Sequence, residues 1–132
     1  GAVLMDAPST YCIETLTCRC KTCGTVFCET LPANYELIQF SCGDGQKRFL
    51  PTYSPDGYLA LLERFVPEWS TKQTITQQIS DRLTQELSNW LPYSVTLYSR
   101  ADIRCPFCGG RDVKTEQKQT LLNPPVEWLE IP

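Results

Sequence analysis

The residues best equipped for chemistry in this 132-residue chain are its eight cysteines, at positions 12, 18, 20, 23, 28, 42, 105 and 108. Half of them fall into two short runs, Cys20-Lys21-Thr22-Cys23-Gly24 and Cys105-Pro106-Phe107-Cys108-Gly109-Gly110. Two intervening residues let both sulfurs of a pair face one point. The glycine that follows relieves crowding where the chain bends back and its N–H groups turn towards sulfur. Pro106 fixes the approach to the second turn. Together the pairs supply enough thiolates to close a tetrahedral site, with metal–sulfur bonds of about 2.3 Å for zinc. The candidate ligands are therefore Cys20, Cys23, Cys105 and Cys108, holding one structural Zn2+.

Rival uses of these residues are weaker. An even number of cysteines in a short chain also suits a disulfide framework. Pairs two residues apart with a trailing glycine suit a single ion better, and a metal-bound chain belongs in a reducing, cytoplasmic setting. The run Cys105-Pro106-Phe107-Cys108 is similar to a glutaredoxin redox motif. That motif opens a helix whose dipole lowers the thiol pKa, whereas Gly109-Gly110-Arg111-Asp112 reads as a turn. Iron on the same thiolates, as in a rubredoxin-like electron carrier, is the alternative metal. The chain has no histidine, which removes every Ser–His, Cys–His and His-ligated mechanism. A closed thiolate site leaves no coordination position for substrate, and no nucleophile–base pair or phosphate loop is visible. The sequence therefore reads as non-enzymatic, with no small-molecule substrate. Cys12, Cys18, Cys28 and Cys42 lack the pair spacing and read as small buried hydrophobes.

The elements that must position the cysteine pairs follow from local pattern. Residues 11–18 are rich in β-formers and predict a strand entering the first pair; residues 25–31 predict its return, stopped by Pro32. A second hairpin is expected from residues 35–42 and 46–53 around Gly43-Asp44-Gly45, with Pro51 marking an edge strand. Tyr58, Leu61, Leu62, Phe65 and Trp69 recur at helical spacing until Pro67 intervenes. A second helix is expected after Ser70-Thr71, with Ile75, Ile79, Leu83, Leu87, Trp90 and Leu91 on its apolar face and Pro92 as its stop. Trp69 and Trp90 read as core. Strands are expected over 93–98 and 113–122, leaving 123–132 as an extended, proline-bounded tail.

With these elements in place the chain resembles the zinc-ribbon class, in which two β-hairpins each carry a cysteine pair at the tip and share one zinc. The resemblance covers residues 11–31 and 94–122 and implies the same set of ligands. The pairs are separated by 81 residues, far more than in a simple ribbon, so residues 32–93 read as an insertion. The expected fold is α+β: zinc-ribbon hairpins with an inserted β-hairpin and a two-helix segment, one domain over 5–122. Residues 1–4 read as an expression leftover ahead of a natural start at Met5.

Charge bears on partners. Twelve basic residues against fifteen acidic ones give −3, too little positive charge for a protein living on phosphate contacts. The ribbon strands hold seven basic residues against five acidic ones, and a divalent ion on thiolates cancels that excess. Arg104, Arg111, Lys114 and Lys118 are the candidates for a nucleic-acid-binding ribbon. In the tail, Val126, Trp128, Leu129 and Ile131 alternate with acids; they fold back on the chain's own sheet or insert into a partner as an extended segment. No apolar run approaches the ~20 residues of a membrane span. The resemblance implies a zinc-stabilised module that docks on a protein or nucleoprotein assembly, of the kind found in transcription or in viral and mobile-element systems.

Overall fold

The computed structural model describes residues 10–69 and 74–131. The segment 1–4 and the Ser70-Thr71 boundary lie outside the described residues. The chain is α+β: the described residues form six strands in two small antiparallel sheets and two helices. Strand β1 (Cys12–Cys20) is the centre of the first sheet, flanked by β2 (Val26–Pro32) and β6 (Val113–Leu122) in the order β2-β1-β6. The second sheet is ordered β4-β3-β5, from β3 (Leu37–Cys42), β4 (Lys47–Pro51) and β5 (Val95–Leu97). Helices α1 (Tyr58–Phe65) and α2 (Gln77–Trp90) lie between β4 and β5 in the chain.

The hydrophobic effect gathers most of the inserted segment. Phe40, Leu50, Tyr58, Leu62, Val66, Leu83, Leu87 and Val95 share one core between the second sheet and the helices. Helix α1 stops where Pro67 removes the next donor. Trp69 lies beyond that break, is 5% exposed and belongs to the core. Helix α2 begins at Gln77, where the Thr76 hydroxyl accepts from the Ile79 N–H at 3.3 Å. Ile75 therefore precedes the helix and is 37% exposed. Trp90 departs from the expected core position: it is 52% exposed and lies 6.1 Å from the Phe65 ring. The inward stripe of α2 is Ser80, Leu83, Thr84 and Leu87, and it continues to Leu91, which is also in the core; Trp90 falls to the side of that stripe.

One face of the first sheet packs Leu16, Cys18 and Leu31 against Ile103, with Phe27, Tyr98 and Val113 around them. Its register contains one irregularity. Thr17 pairs with Gln117 and Cys18 with Thr115, so Glu116 is an extra residue on β6. The carboxylate of Glu116 meets Arg19 at 3.2 Å.

The tail folds back, the first of the two expected possibilities. Trp128 bridges to Phe49 in parallel along the outer edge of β4. The Phe49 N–H donates to the Glu127 carbonyl at 2.9 Å, and the Leu129 N–H donates to the Phe49 carbonyl at 2.8 Å. Val126 and Trp128 pack on Tyr11, Ile13, Leu37 and Phe49; Leu129 and Ile131 join the helical core. In this arrangement Leu129 is buried and Val126, Trp128 and Ile131 are half-buried against the chain's own sheets and helices. The link also joins the two sheets through Tyr11, whose ring meets Trp128 edge-on at 5.7 Å.

Candidate metal centre

Cys20 is the last residue of β1, so the ladder that fixes β1 also fixes its sulfur. The turn that follows closes with the Gly24 N–H donating to the Cys20 carbonyl at 2.8 Å, and the Cys20 N–H donating to the Thr25 carbonyl at 2.9 Å. The second pair repeats this pattern. The Gly109 N–H donates to the Cys105 carbonyl at 2.9 Å, and the Cys105 N–H donates to the Gly110 carbonyl at 2.9 Å. Gly24 and Gly109 both take positive φ, 80° and 74°, a region that a side chain would strain. Each pair thus forms the same tight turn from the same residue pattern. The turns are stitched together by the Lys21 N–H, which donates to the Asp112 carbonyl at 2.8 Å.

The sulfurs of Cys20, Cys23, Cys105 and Cys108 all lie within 4.8 Å of one another. Cys20 and Cys108 are 3.6 Å apart, as are Cys23 and Cys105. A tetrahedron with 2.3 Å arms has edges of about 3.8 Å, so the spacing fits a bound ion and is far too long for a disulfide. Backbone N–H groups of Phe107 and Cys108 point at the Cys105 sulfur at 3.4 and 3.5 Å, and that of Gly110 at the Cys108 sulfur at 3.4 Å. A Cβ on Gly110 would lie 3.2 Å from the Cys108 sulfur and 3.7 Å from the Cys20 sulfur. The glycine leaves room that the sulfur cluster needs. Cys20 and Cys105 are buried, while Cys23 and Cys108 are exposed. Each turn therefore presents one sulfur to the interior and one to solvent.

Without an ion, the cluster distributes protons unevenly. Burial opposes ionisation of Cys105, but the N–H groups of Cys108 and Phe107 and the neighbouring sulfurs outweigh it and bring it down to about 6. The Cys23 N–H also holds Cys20 below the usual thiol range. At Cys108 the Gly110 N–H favours the thiolate, but the facing sulfurs of Cys20 and Cys23 and burial push it up to about 12. Close sulfurs cannot all ionise together unless a cation compensates them.

The other cysteines divide. Cys18 and Cys42 are buried as expected, and burial, followed by the charge of Glu29, pushes the Cys18 thiol up. Cys12 is half-buried. Cys28 is exposed, contrary to the sequence expectation, because it lies opposite Thr17 on the solvent face of the first sheet, between Val26 and Thr30 along the strand.

The basic candidates do not form one patch. Arg104, Arg111, Lys114 and Lys118 are all exposed. Lys118 lies 3.5 Å from the Glu14 carboxylate. Lys114 is placed opposite Arg19 and Lys118 opposite Leu16, positions on opposite faces of the sheet. Four residues apart on a regular strand would share a face; the extra residue Glu116 turns one of them over. Two exposed apolar side chains near the turns carried no sequence signal beyond their presence: Phe107, 80% exposed between Cys105 and Cys108, and Val26, 50% exposed at the start of β2.

Among the described residues no helix is long and apolar enough to cross a membrane. Compared with models of known protein families, with curated proteins and with solved structures, the chain matches none.

Proposed function

We propose that this protein is a non-enzymatic interaction module whose working end is held together by one zinc ion on Cys20, Cys23, Cys105 and Cys108. The observation that carries the reading is the mutual approach of the four sulfurs within 4.8 Å from turns 81 residues apart in the chain. Thiolates at every corner complete a tetrahedral shell, so the ion organises the fold and offers no place to a substrate. Four soft sulfur donors favour zinc over the harder divalent cations, with iron as the competing occupant. The exposed Phe107 and Val26 provide the apolar contact surface, and the surrounding chain, net −3, suits a protein or nucleoprotein partner in a reducing cytoplasmic setting better than bare nucleic acid.

Elemental analysis of gently purified protein tests the metal: one zinc per chain is expected, and one iron or no transition metal overturns the assignment. Cobalt substitution adds an independent check, because tetrahedral thiolate ligation gives intense sulfur-to-metal charge-transfer absorption. Docking is tested by affinity capture with the wild-type chain against a Phe107→Ser, Val26→Ser variant that retains its metal. Partners lost from the variant support the surface; an unchanged set of partners removes it. Binding to single-stranded DNA that falls steeply with salt would favour the nucleic-acid reading through Arg104, Arg111 and Lys114.

A further inference from the structure

We infer that the segment Pro124–Ile131 is an exchangeable arm, and that two copies of this chain associate by each laying its arm along β4 of the other. The inference does not rest on the metal. Strand β4 is the edge of the second sheet, and the arm completes it by strand addition, through the two backbone hydrogen bonds at Phe49. The site reads the arm's side chains in order. Val126 and Trp128 enter the cluster of Tyr11, Ile13, Leu37 and Phe49; Leu129 and Ile131 enter the helical core. Between them the Glu127 carboxylate faces Arg48 at 3.5 Å. Arg48 is held by Asp44 at 2.8 and 3.0 Å and lies over the Tyr93 ring at 4.3 Å. The groove is therefore a built receptor for one extended segment, and the segment seated in it belongs to this chain.

The connection to the arm marks it as a hinge. Asn123 adopts φ 49°, a left-handed conformation that asparagine takes more readily than other side chains and that breaks the line of β6. Pro124 and Pro125 follow and stiffen the exit. Before the hinge, every residue of β6 after Val113 is exposed, so the arm hangs from the periphery and not from the core. Asn123 itself is fastened to Tyr11: its N–H donates to the Tyr11 carbonyl at 2.8 Å, and its Oδ1 accepts from the Tyr11 N–H at 2.8 Å. An arm from a second copy would make the same Glu127 and Leu129 backbone bonds to Phe49 in the same groove. Exchange then costs association entropy, offset to the extent that the stiff Pro124-Pro125 exit resists the closed path, while groove contacts cancel.

The test uses full-length chains. One carries Arg48→Glu and the other Glu127→Lys, so that each has like charges where its own arm meets its own groove. Across the pair, Glu127 of the first meets Arg48 of the second, and the two introduced charges meet each other. Sedimentation velocity is expected to show a heterodimer in the mixture at least tenfold more abundant than either homodimer alone. A mixture that sediments as the sum of its parts overturns the inference. Should Arg48→Glu fail to fold by circular dichroism, insertion of two glycines after Asn123 decides, since it touches neither groove nor body. The wild type is expected to dimerise as concentration rises, and the insertion to lower its dimer fraction at least tenfold by easing the closed form. A wild type that stays monomeric throughout, or a dimer indifferent to the insertion, refutes arm exchange.

Discussion

Stripping the proposed metal is the most informative perturbation, because the ion would tie together the tips of two turns that are distant in sequence. Apart from the sulfurs, the turns are linked by the β1–β6 ladder, which ends with Cys20 opposite Val113, by the Lys21–Asp112 backbone bond and by the modest cluster of Leu16, Cys18, Leu31 and Ile103 beneath them. An ion that binds only the folded chain stabilises it by RT ln(1 + [L]/Kd), about 4 kcal/mol at a thousandfold excess over Kd. For a chain of this length, 1 kcal/mol corresponds to roughly 3–5 °C in Tm. Chelation should therefore lower the melting temperature by roughly 12–20 °C, a large part of the ~7–20 kcal/mol that a domain of this size has in total. The loss should also be uneven. Hydrogen exchange is expected to accelerate first at residues 20–24 and 105–113, while amides of β3, β4, α1 and α2, which surround the core of Phe40, Leu62 and Leu83, remain protected. Thermal melts by circular dichroism, with and without a chelator and with added zinc, measure the first quantity; exchange followed by mass spectrometry measures the second. Equal melting temperatures in both conditions, or uniform loss of protection, would refute the reasoning.

Three further outcomes are expected. Gly110→Ala places a methyl 3.2 Å from the Cys108 sulfur and should weaken metal retention about tenfold, roughly 1.4 kcal/mol, in competition against a chromophoric chelator; unchanged retention would show that the sulfur can yield. Leu129→Ala empties a position that is 3% exposed in the helical core and should cost about 2 kcal/mol, the low end for a buried leucine because the arm can settle inward, read from urea midpoints. For Tyr98, burial and then its hydrogen bond to Glu29, 2.8 Å long, raise the hydroxyl pKa. A folded pKa above the unfolded one means that its stabilisation is complete below about pH 10 and is lost as pH rises through the folded value. Tyr98→Phe should therefore cost about 1 kcal/mol at neutral pH and flatten the alkaline loss of stability; midpoints measured between about pH 8 and 11 that fall with the same slope would contradict this.

What the sequence made legible was local. A cysteine pair with a following glycine describes its own turn, so both turns and the β1–β2 hairpin could be read directly; the hairpin expected around the second pair did not form, because β5 pairs with β3 in the other sheet and β6 pairs with β1. Alternation located the strands, and helical spacing located the helices, although Ile75 fell before the cap at Thr76. What escaped was set by relations between elements. Nothing in Lys114-Thr115-Glu116-Gln117-Lys118 announces that β1 skips Glu116 and so divides the lysines between faces. Trp90 borders an apolar stripe, yet the stripe's buried line runs through Leu87 to Leu91 and leaves the indole at its exposed rim. Cys28 takes its environment from the open stretch of its sheet face, beside the exposed Val26 and Thr30, while Ile13 farther along the same face is covered. The destination of the tail depended on β4 presenting an open edge, which a pattern read along the chain does not contain.

The skipped residue at Glu116 has a consequence for solubility. Strand β6 is long, lies at a sheet boundary and is wetted on both faces, the shape on which foreign strands stack into fibrils. An inserted residue midway throws the outer row of donors and acceptors out of step, so an approaching strand can zip along one half only. Excising Glu116 would straighten that border and give aggregation a continuous template.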